Sequence, residues 1–452
     1  MTDKMLEQEA RDKIKEAVKE YYLNFHKPAQ ESYKAGDKIS YASRVFDENE
    51  MMSLTDALLD FWLTSGRFND QLEKSLCEYL DVKYALTVNS GSSANLLAFM
   101  ALTDNTLGER QIKRGDEIIT VACGFPTTIS PILQYGAVPV FIDVTLPKYN
   151  IDTSRLEEAL SEKTKAVMLA HTLGNPFNIK IVKSFCDKHN LWLIEDNCDA
   201  LGSKYTLDGV IKLTGTFGDI GTSSFYPAHH ITTGEGGAVY TNNPQLYKIM
   251  KSLRDWGRDC VCPAGVDNMC KHRFTGQFGE LPQGYDHKYV YSRFGYNLKM
   301  TDLQASIGCE QIKKIDEFVS KRKLRYKLVR NMFVKYSDYF ILPEPEENSS
   351  PSWFGVPITV KEKAPFTRNE LVQYFEENNI QTRMLFGGNL IKHPCFDSIR
   401  DTEAYRVVGP LDNSDIIMNN TFWLGVYPGL KWDMIVRISE ILDEFIENKI
   451  KN

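Results

Sequence analysis

The chain has 452 residues, of which 42% are hydrophobic and 25% charged, so a large core can form without disulfide staples. Its net charge of −7, with both signs interspersed, argues against the basic domain of a nucleic-acid partner but not against a small anionic substrate. No apolar run approaches the ~18 residues of a membrane span, and the charged start Met1–Arg11 has no apolar signal region.

A cytoplasmic protein is therefore expected, whose nine cysteines are thiols, catalytic groups or metal ligands rather than disulfides. Leu6, Ala10, Ile14, Ala17 and Tyr21 recur at helical spacing, predicting an amphipathic helix over 6–24, followed by a polar connector from Lys27 to Lys38. From about Asp56 to Asn243, short apolar runs alternate with helical patterns. The runs are Tyr84–Val88, Glu117–Val121, Val138–Ile142, Ala166–Ala170 and Leu191–Ile194; the helical patterns include Ser93–Leu102 and Ile179–Lys188. This alternation predicts a mostly parallel sheet covered by helices on both faces. Ligands of such sheets bind at the carboxyl ends of the strands, so polar residues just after each strand are the first candidates.

Residues 258–290 break the pattern, being rich in Gly, Pro, Cys and aromatic residues without a period. A long helix is expected from about Asp302 to Lys335, and 336–452 mixes short strands and helices. The expected organisation is a helical segment and connector over 1–55, a large domain over 56–310 that includes the 258–290 loop, and a smaller α+β domain over 311–452.

Four segments at strand ends carry candidate chemistry. Asn89-Ser-Gly-Ser-Ser-Ala opens a helix, where small residues let backbone N–H groups approach an anion, although a plain tight turn reads the same way. Gly124-Phe-Pro-Thr-Thr offers Phe125 as a flat apolar surface or as a core aromatic. Ile194-Glu-Asp-Asn-Cys-Asp puts a carboxylate where a pyridinium nitrogen finds its partner. The most specific segment is Phe217-Gly-Asp-Ile-Gly-Thr-Ser-Ser-Phe-Tyr-Pro-Ala-His-His-Ile-Thr-Thr-Gly-Glu-Gly-Gly-Ala.

That last segment resembles the cofactor-lysine segment of the DegT/DnrJ/EryC1/StrS family of PLP-dependent sugar aminotransferases, approximately S-F-H-P-x-K-x-I-T-T-G-E-G-G. The other three segments follow in the family's order, as does Gly295-Tyr-Asn-Leu-Lys-Met-Thr-Asp-Leu-Gln-Ala. The resemblance runs from about residue 55 to the end of the chain. It implies an α/β large domain of the aspartate-aminotransferase-like fold type I and a smaller C-terminal domain. It implies Asp196 as the partner of the pyridine nitrogen and Phe125 as the ring-stacking aromatic. Gly91, Ser92 and Ser224 match phosphate-binding positions. Asn297 matches an asparagine that reaches a phosphate of the neighbouring subunit, which implies a homodimer.

The chain departs from the family at the Schiff-base lysine, whose position holds His229. Imidazole cannot anchor the cofactor covalently, so pyridoxamine phosphate (PMP) held non-covalently is expected, with His229 able to move protons near neutral pH. Tyr226 and Asp199 depart alongside it, from the histidine and the histidine or glutamine usual in the aminotransferases. Three neighbouring replacements look like a changed mechanism rather than a decayed one.

Cys260, Cys262 and Cys270 fall within 11 residues, in a spacing that leaves zinc and an iron–sulfur cluster both open. Cys198, two residues after Asp196, is the best-placed fourth thiol. The histidine and the cysteines together resemble one branch of the family, the PMP- and [2Fe-2S]-dependent 3-dehydrases of CDP-4-keto-6-deoxyglucose that serve 3,6-dideoxyhexose synthesis for lipopolysaccharide. The interval after Cys198 is slightly longer than in that branch, with extra residues around Thr206–Leu213. This resemblance implies a nucleotide-sugar substrate and an NADH-dependent flavin/iron–sulfur reductase as electron donor. Three rivals remain at this level: a reductase-independent 3-dehydratase that recovers PMP from glutamate, an ordinary sugar aminotransferase, and a non-catalytic zinc-stabilised protein.

Overall fold

The computed structural model describes residues 3–263 and 265–451. Its apolar runs become the strands of an eight-stranded sheet. In spatial order these are Tyr84–Val88, Gly237–Thr241, Ile220–Ser224, Trp192–Asp196, Thr164–Ala170, Glu117–Val121, Val138–Ile142 and Arg406–Val407. Only Gly237–Thr241 runs against its neighbours; every other pairing is parallel. The central strands are buried almost throughout, as a sheet covered on both faces requires.

Two of these strands, Ile220–Ser224 and Gly237–Thr241, are rich in Gly, Ser, Thr and Ala, with Ile220, Val239 and Tyr240 their only large apolar or aromatic residues, and carry little apolar signal. Close packing explains the small residues: a Cβ on Gly221 would lie 2.1 Å from the Gly215 carbonyl oxygen. A second sheet joins Phe340–Ile341, Gly355–Val360 and Thr421–Gly425, all antiparallel, and packs with Ile315–Met332 and Trp432–Lys451 around a separate core. The extra residues near 206–213 form the exposed hairpin Lys204–Leu207/Val210–Leu213.

Helix boundaries depart from the pattern in two places. The first helix spans Asp3–Tyr21 and continues through a wide turn, Tyr22–His26, into Lys27–Glu31, so the connector begins later than its polarity suggests. Pro28 sits in the first turn of that last segment, where its missing N–H costs nothing. The helix expected over 302–335 is two helices, Asp302–Gln311 and Ile315–Met332, joined by a tighter turn at Ile312–Lys314.

Asp302, in the Gly295–Ala305 motif, has a structural task. Its buried carboxylate accepts from the N–H groups of Gly66, Phe68 and Asn69, which satisfies donors at the start of the Arg67–Leu80 helix. The connector is pinned across the molecule: Ile39 exchanges hydrogen bonds with Asn379 and Gln381, and Tyr41 passes directly over Gly425. Among the described residues no helix is long and apolar enough to cross a membrane.

Candidate active site

The carboxyl ends of five strands converge on one cavity of about 300 Å³, the low end of the size range of ligand pockets. Each expected segment arrives there for a local reason. After Val88, Ser90 adopts an extended conformation and its hydroxyl accepts from Ser93 N–H, starting the Gly91–Ala101 helix with its N-terminus toward the cavity. Gly91 is required there, because a Cβ would stand 2.5 Å from Ser224 Cβ. Gly91, Ser92 and Ser224 thus line a small-residue cradle at a helix N-terminus, which suits a phosphate.

Asp196 ends its strand buried. Its Oδ2 accepts from Asn95 Nδ2 and from Thr128 Oγ1, each at 2.7 Å, and its Oδ1 from Cys198 N–H at 3.2 Å. Thr222 donates to Asn95 Oδ1 at 2.7 Å, which fixes the amide so that its NH2 faces the carboxylate. The adjacent Glu195 points to the other side of the sheet, where it accepts from the N–H groups of Gly215, Phe217 and Gly218 and pairs with buried His171 at 2.9 Å. Phe125 lines the cavity with half its surface exposed and meets Phe386 edge-on.

His229 follows a turn closed by its own N–H to the Tyr226 carbonyl at 2.9 Å, and its ring stacks on Phe354 with centroids 5.2 Å apart. Its Nδ1 lies 3.5 Å from Asp199 Oδ1, too far for a strong hydrogen bond. Nδ1 and Asp199 Oδ2 are both buried without a hydrogen-bond partner among the described residues. Behind them Arg322, fully buried, donates to the His229 carbonyl at 2.9 Å and to that of Ala228 at 3.4 Å.

This dry setting drives both partners toward neutrality. Burial, then the Arg322 cation, pushes His229 down to about 4. Burial, then the Asp196 charge, pushes Asp199 up to about 7. A neutral imidazole is a base ready to accept a proton.

The residues fit pyridoxal or pyridoxamine phosphate. They offer a braced carboxylate for a ring nitrogen, an aromatic face, an anion cradle and a histidine with a free ring nitrogen. No lysine lines the cavity among the described residues, so a covalent anchor has no source there. Tyr226 is half exposed and stands outside the lining. Asn297 also lies outside it, bridged to Asp255 and accepting from Lys299 at 2.8 Å.

The cysteines separate into two places. Cys198 lines the cavity, where burial and the Asp196 charge hold its thiol well above the usual range. Cys260, Cys262 and Cys270 sit in the 258–290 loop and do not line the cavity. That loop is braced by surface contacts: Arg273 forks onto Asp286, Arg273 and Lys288 both pair with Asp267, and His287 bridges Cys270 and Asp259. Among the described residues no three His, Cys, Asp or Glu side chains are arranged to hold one metal ion. Among the described residues the four cysteines expected from the sequence are not grouped around one metal position.

Residues 45–443 match the DegT/DnrJ/EryC1/StrS aminotransferase family. The chain belongs to that family. Among its relatives, the lipopolysaccharide biosynthesis protein RfbH of Salmonella typhimurium is 52% identical over 96% of this chain and 98% of its own length. The dTDP-4-dehydro-2,6-dideoxy-D-glucose 3-dehydratase of Saccharopolyspora spinosa is 46% identical over 97% of this chain and 92% of its own. Among solved structures, E. coli GDP-4-keto-6-deoxy-D-mannose-3-dehydratase with bound hydrated PLP is 30% identical with a TM-score of 0.79, covering 90% of this chain and 99% of that one. A GDP-4-keto-6-deoxymannose-3-dehydratase with a trapped PLP-glutamate geminal diamine is 29% identical with a TM-score of 0.79, covering 89% and 100%. The family's fold type I architecture is the one described above.

Several residues that line the cavity or brace its lining carry no motif. Asn95 and Thr128, which hold Asp196, sit one helical turn inside segments that were read, so their spacing was a usable signal. Arg322, Tyr41, Phe354, Arg383 and Trp423 come from the connector and the C-terminal third, and nothing local marks them.

Proposed function

We propose that the chain is a PMP-dependent 3-dehydrase that removes the C3 hydroxyl of a nucleotide-linked 4-keto-6-deoxyhexose, CDP-linked by the resemblance, in 3,6-dideoxyhexose synthesis for lipopolysaccharide. The observation that carries this reading is His229 facing the cavity at the family's lysine position with no lysine beside it. The names of two relatives, a 3-dehydratase and a lipopolysaccharide biosynthesis protein, agree with it.

A bound PMP supplies an amine for the 4-keto group and a ring that serves as electron sink. Asp196 holds the proton on the ring nitrogen. Gly91, Ser92 and Ser224 bind the phosphate, and Phe125 covers one ring face. His229 takes a proton from the cofactor's methylene carbon; Arg322 holds its backbone carbonyl and Phe354 packs on its ring. Asp199 orients the imidazole, and Tyr226 acts at the rim. Asn297 serves the phosphate of a neighbouring subunit in a homodimer.

The reading predicts that purified protein binds PMP, yields no covalent adduct with PLP after borohydride, and releases water from CDP-4-keto-6-deoxyglucose. A borohydride-trapped lysine adduct would return it to the aminotransferases.

Net deoxygenation also requires two electrons. We assign them to a [2Fe-2S] cluster on Cys198, Cys260, Cys262 and Cys270, fed by an NADH-dependent flavin/iron–sulfur reductase. The support is the density of cysteines in one loop together with the branch resemblance. Among the described residues the four thiols are not grouped around one position, so no chemical step is derived through the cluster. Two iron and two sulfide per chain in protein purified without oxygen are expected; one zinc and no sulfide would remove this half of the proposal. A second reading, in which PMP is recovered from glutamate without a reductase, has in its favour the likeness to a 3-dehydratase with a trapped PLP-glutamate geminal diamine. Turnover sustained by L-glutamate alone would select it.

A further inference from the structure

The cavity is lined by two groups of residues. Asp196, Asp199 and His229 come from the strand ends of the large sheet; Tyr41, Arg383, Met384, Phe386 and Trp423 come from the connector and the C-terminal third of the chain. Arg383 is the only lysine or arginine among the described lining residues. Its guanidinium carbon stands 3.9 Å from the centre of the Tyr41 ring, and Nη1 donates to the Thr382 carbonyl at 2.7 Å. No ion pair with a carboxylate accompanies it among the described residues. Four of its five donors are thus unspent, in a fixed plane, beside a cavity.

The seat of this arginine is built rather than incidental. Arg383 N–H donates to the Trp423 carbonyl at 3.2 Å and Trp423 N–H returns to the Arg383 carbonyl at 2.7 Å, so the backbone is locked to the second sheet. Tyr41 is wedged edge-on against Trp423 at 5.5 Å, and Trp423 Nε1 donates to the Met384 carbonyl at 2.9 Å. Gly425 has no side chain because a Cβ would stand 1.6 Å from the Tyr41 carbonyl oxygen. Stacking on an aromatic face holds a guanidinium without consuming its N–H donors, and a pre-set planar fork matches paired phosphate oxygens.

We propose that Arg383, held face-on against Tyr41 in the part of the cavity wall formed by the connector and the C-terminal third, is the subsite that binds the diphosphate of the sugar nucleotide. This rests on the nucleotide-sugar reading above. The cofactor phosphate is read onto the Gly91 cradle, so cofactor phosphate and substrate diphosphate have separate seats.

The test titrates CDP, and separately inorganic pyrophosphate, into PMP-loaded protein by calorimetry, comparing wild type with Arg383→Gln, Arg383→Lys and Tyr41→Leu. Loss of charge-assisted hydrogen bonds in Arg383→Gln should weaken both ligands roughly 10–100-fold. Arg383→Lys should recover part of that loss, and Tyr41→Leu should weaken both ligands less. PMP affinity and L-glutamate binding should stay within about twofold of wild type in all three. Four outcomes overturn the proposal: diphosphate affinity unchanged in Arg383→Gln; L-glutamate binding lost instead, which would make Arg383 a carboxylate site; PMP affinity lost instead, which would make it part of the cofactor seat; or full recovery by lysine, which would reduce the fork to a point charge. If wild-type protein binds PMP but neither CDP nor pyrophosphate, the nucleotide-sugar reading falls with it, a result distinct from a variant that binds as well as wild type.

Discussion

The cofactor cavity and the 258–290 loop carry the same kinds of residue in contrasting settings. At the cavity, Asp196 is buried with three donors on its carboxylate, and His229 and Asp199 are dry enough to be neutral. In the loop, Asp267, Arg273, Asp286 and Lys288 pair at the surface, and the three thiols are partly exposed. Polar groups in the cavity are costly to leave unpaired and so specify a geometry; those in the loop are screened by water and specify little alone. Substitutions of equal chemical size should therefore differ greatly in effect between the two.

The sharpest expected effect is at His229. His229→Asn should slow solvent exchange of the PMP methylene proton by ~10²–10⁴-fold while PMP still binds. Exchange at the wild-type rate, followed by NMR, would break the assignment of the base. Under the cavity floor, Glu195→Ala leaves His171 and three N–H donors without their carboxylate. A stability loss of ~3–5 kcal/mol is expected in urea unfolding; a loss below ~1 kcal/mol would mean that water replaces the carboxylate there.

The pH dependence tests the neutral pair. With His229 at about 4, the unfolded chain holds the extra proton between roughly pH 4 and 6.5, so this contribution to stability falls as pH drops. With Asp199 at about 7, the folded protein holds the extra proton between roughly pH 4 and 7, so its contribution rises as pH drops. The two oppose each other in wild type. Asp199→Asn should expose the histidine alone, with cofactor-free protein losing up to ~3 kcal/mol between pH 6.5 and 4.5 relative to wild type. A gain in that direction would refute the dry-pair description.

The loop should respond least. Arg273→Ala removes two ion pairs at solvent-screened sites and should change stability little, leaving PMP affinity unchanged. Faster proteolytic cutting within 258–290 is its expected signature. A weakened PMP affinity would show that the loop reaches the cofactor after all, and would erase the contrast between the two regions.

Where a side chain's role depends on its place along a strand or turn, the sequence alone decided it. The Tyr84, Glu117, Val138 and Ala166 runs announced buried parallel strands, the rule for strand ends pointed to the segments that follow them, and the family resemblance then picked out Gly91, Phe125, Asp196 and His229, all of which line one cavity. The replacement of lysine by histidine was legible because it is one residue in a segment whose neighbours keep the family pattern. What the tertiary structure alone decided joins residues far apart in the chain. Arg322 meets the His229 carbonyl, Tyr41 meets Arg383, and Cys198 lines the cavity that Cys260, Cys262 and Cys270 do not line. Periodicity reports which face of an element is apolar over a few turns, whereas such meetings are set by how whole elements pack, and no local pattern encodes that.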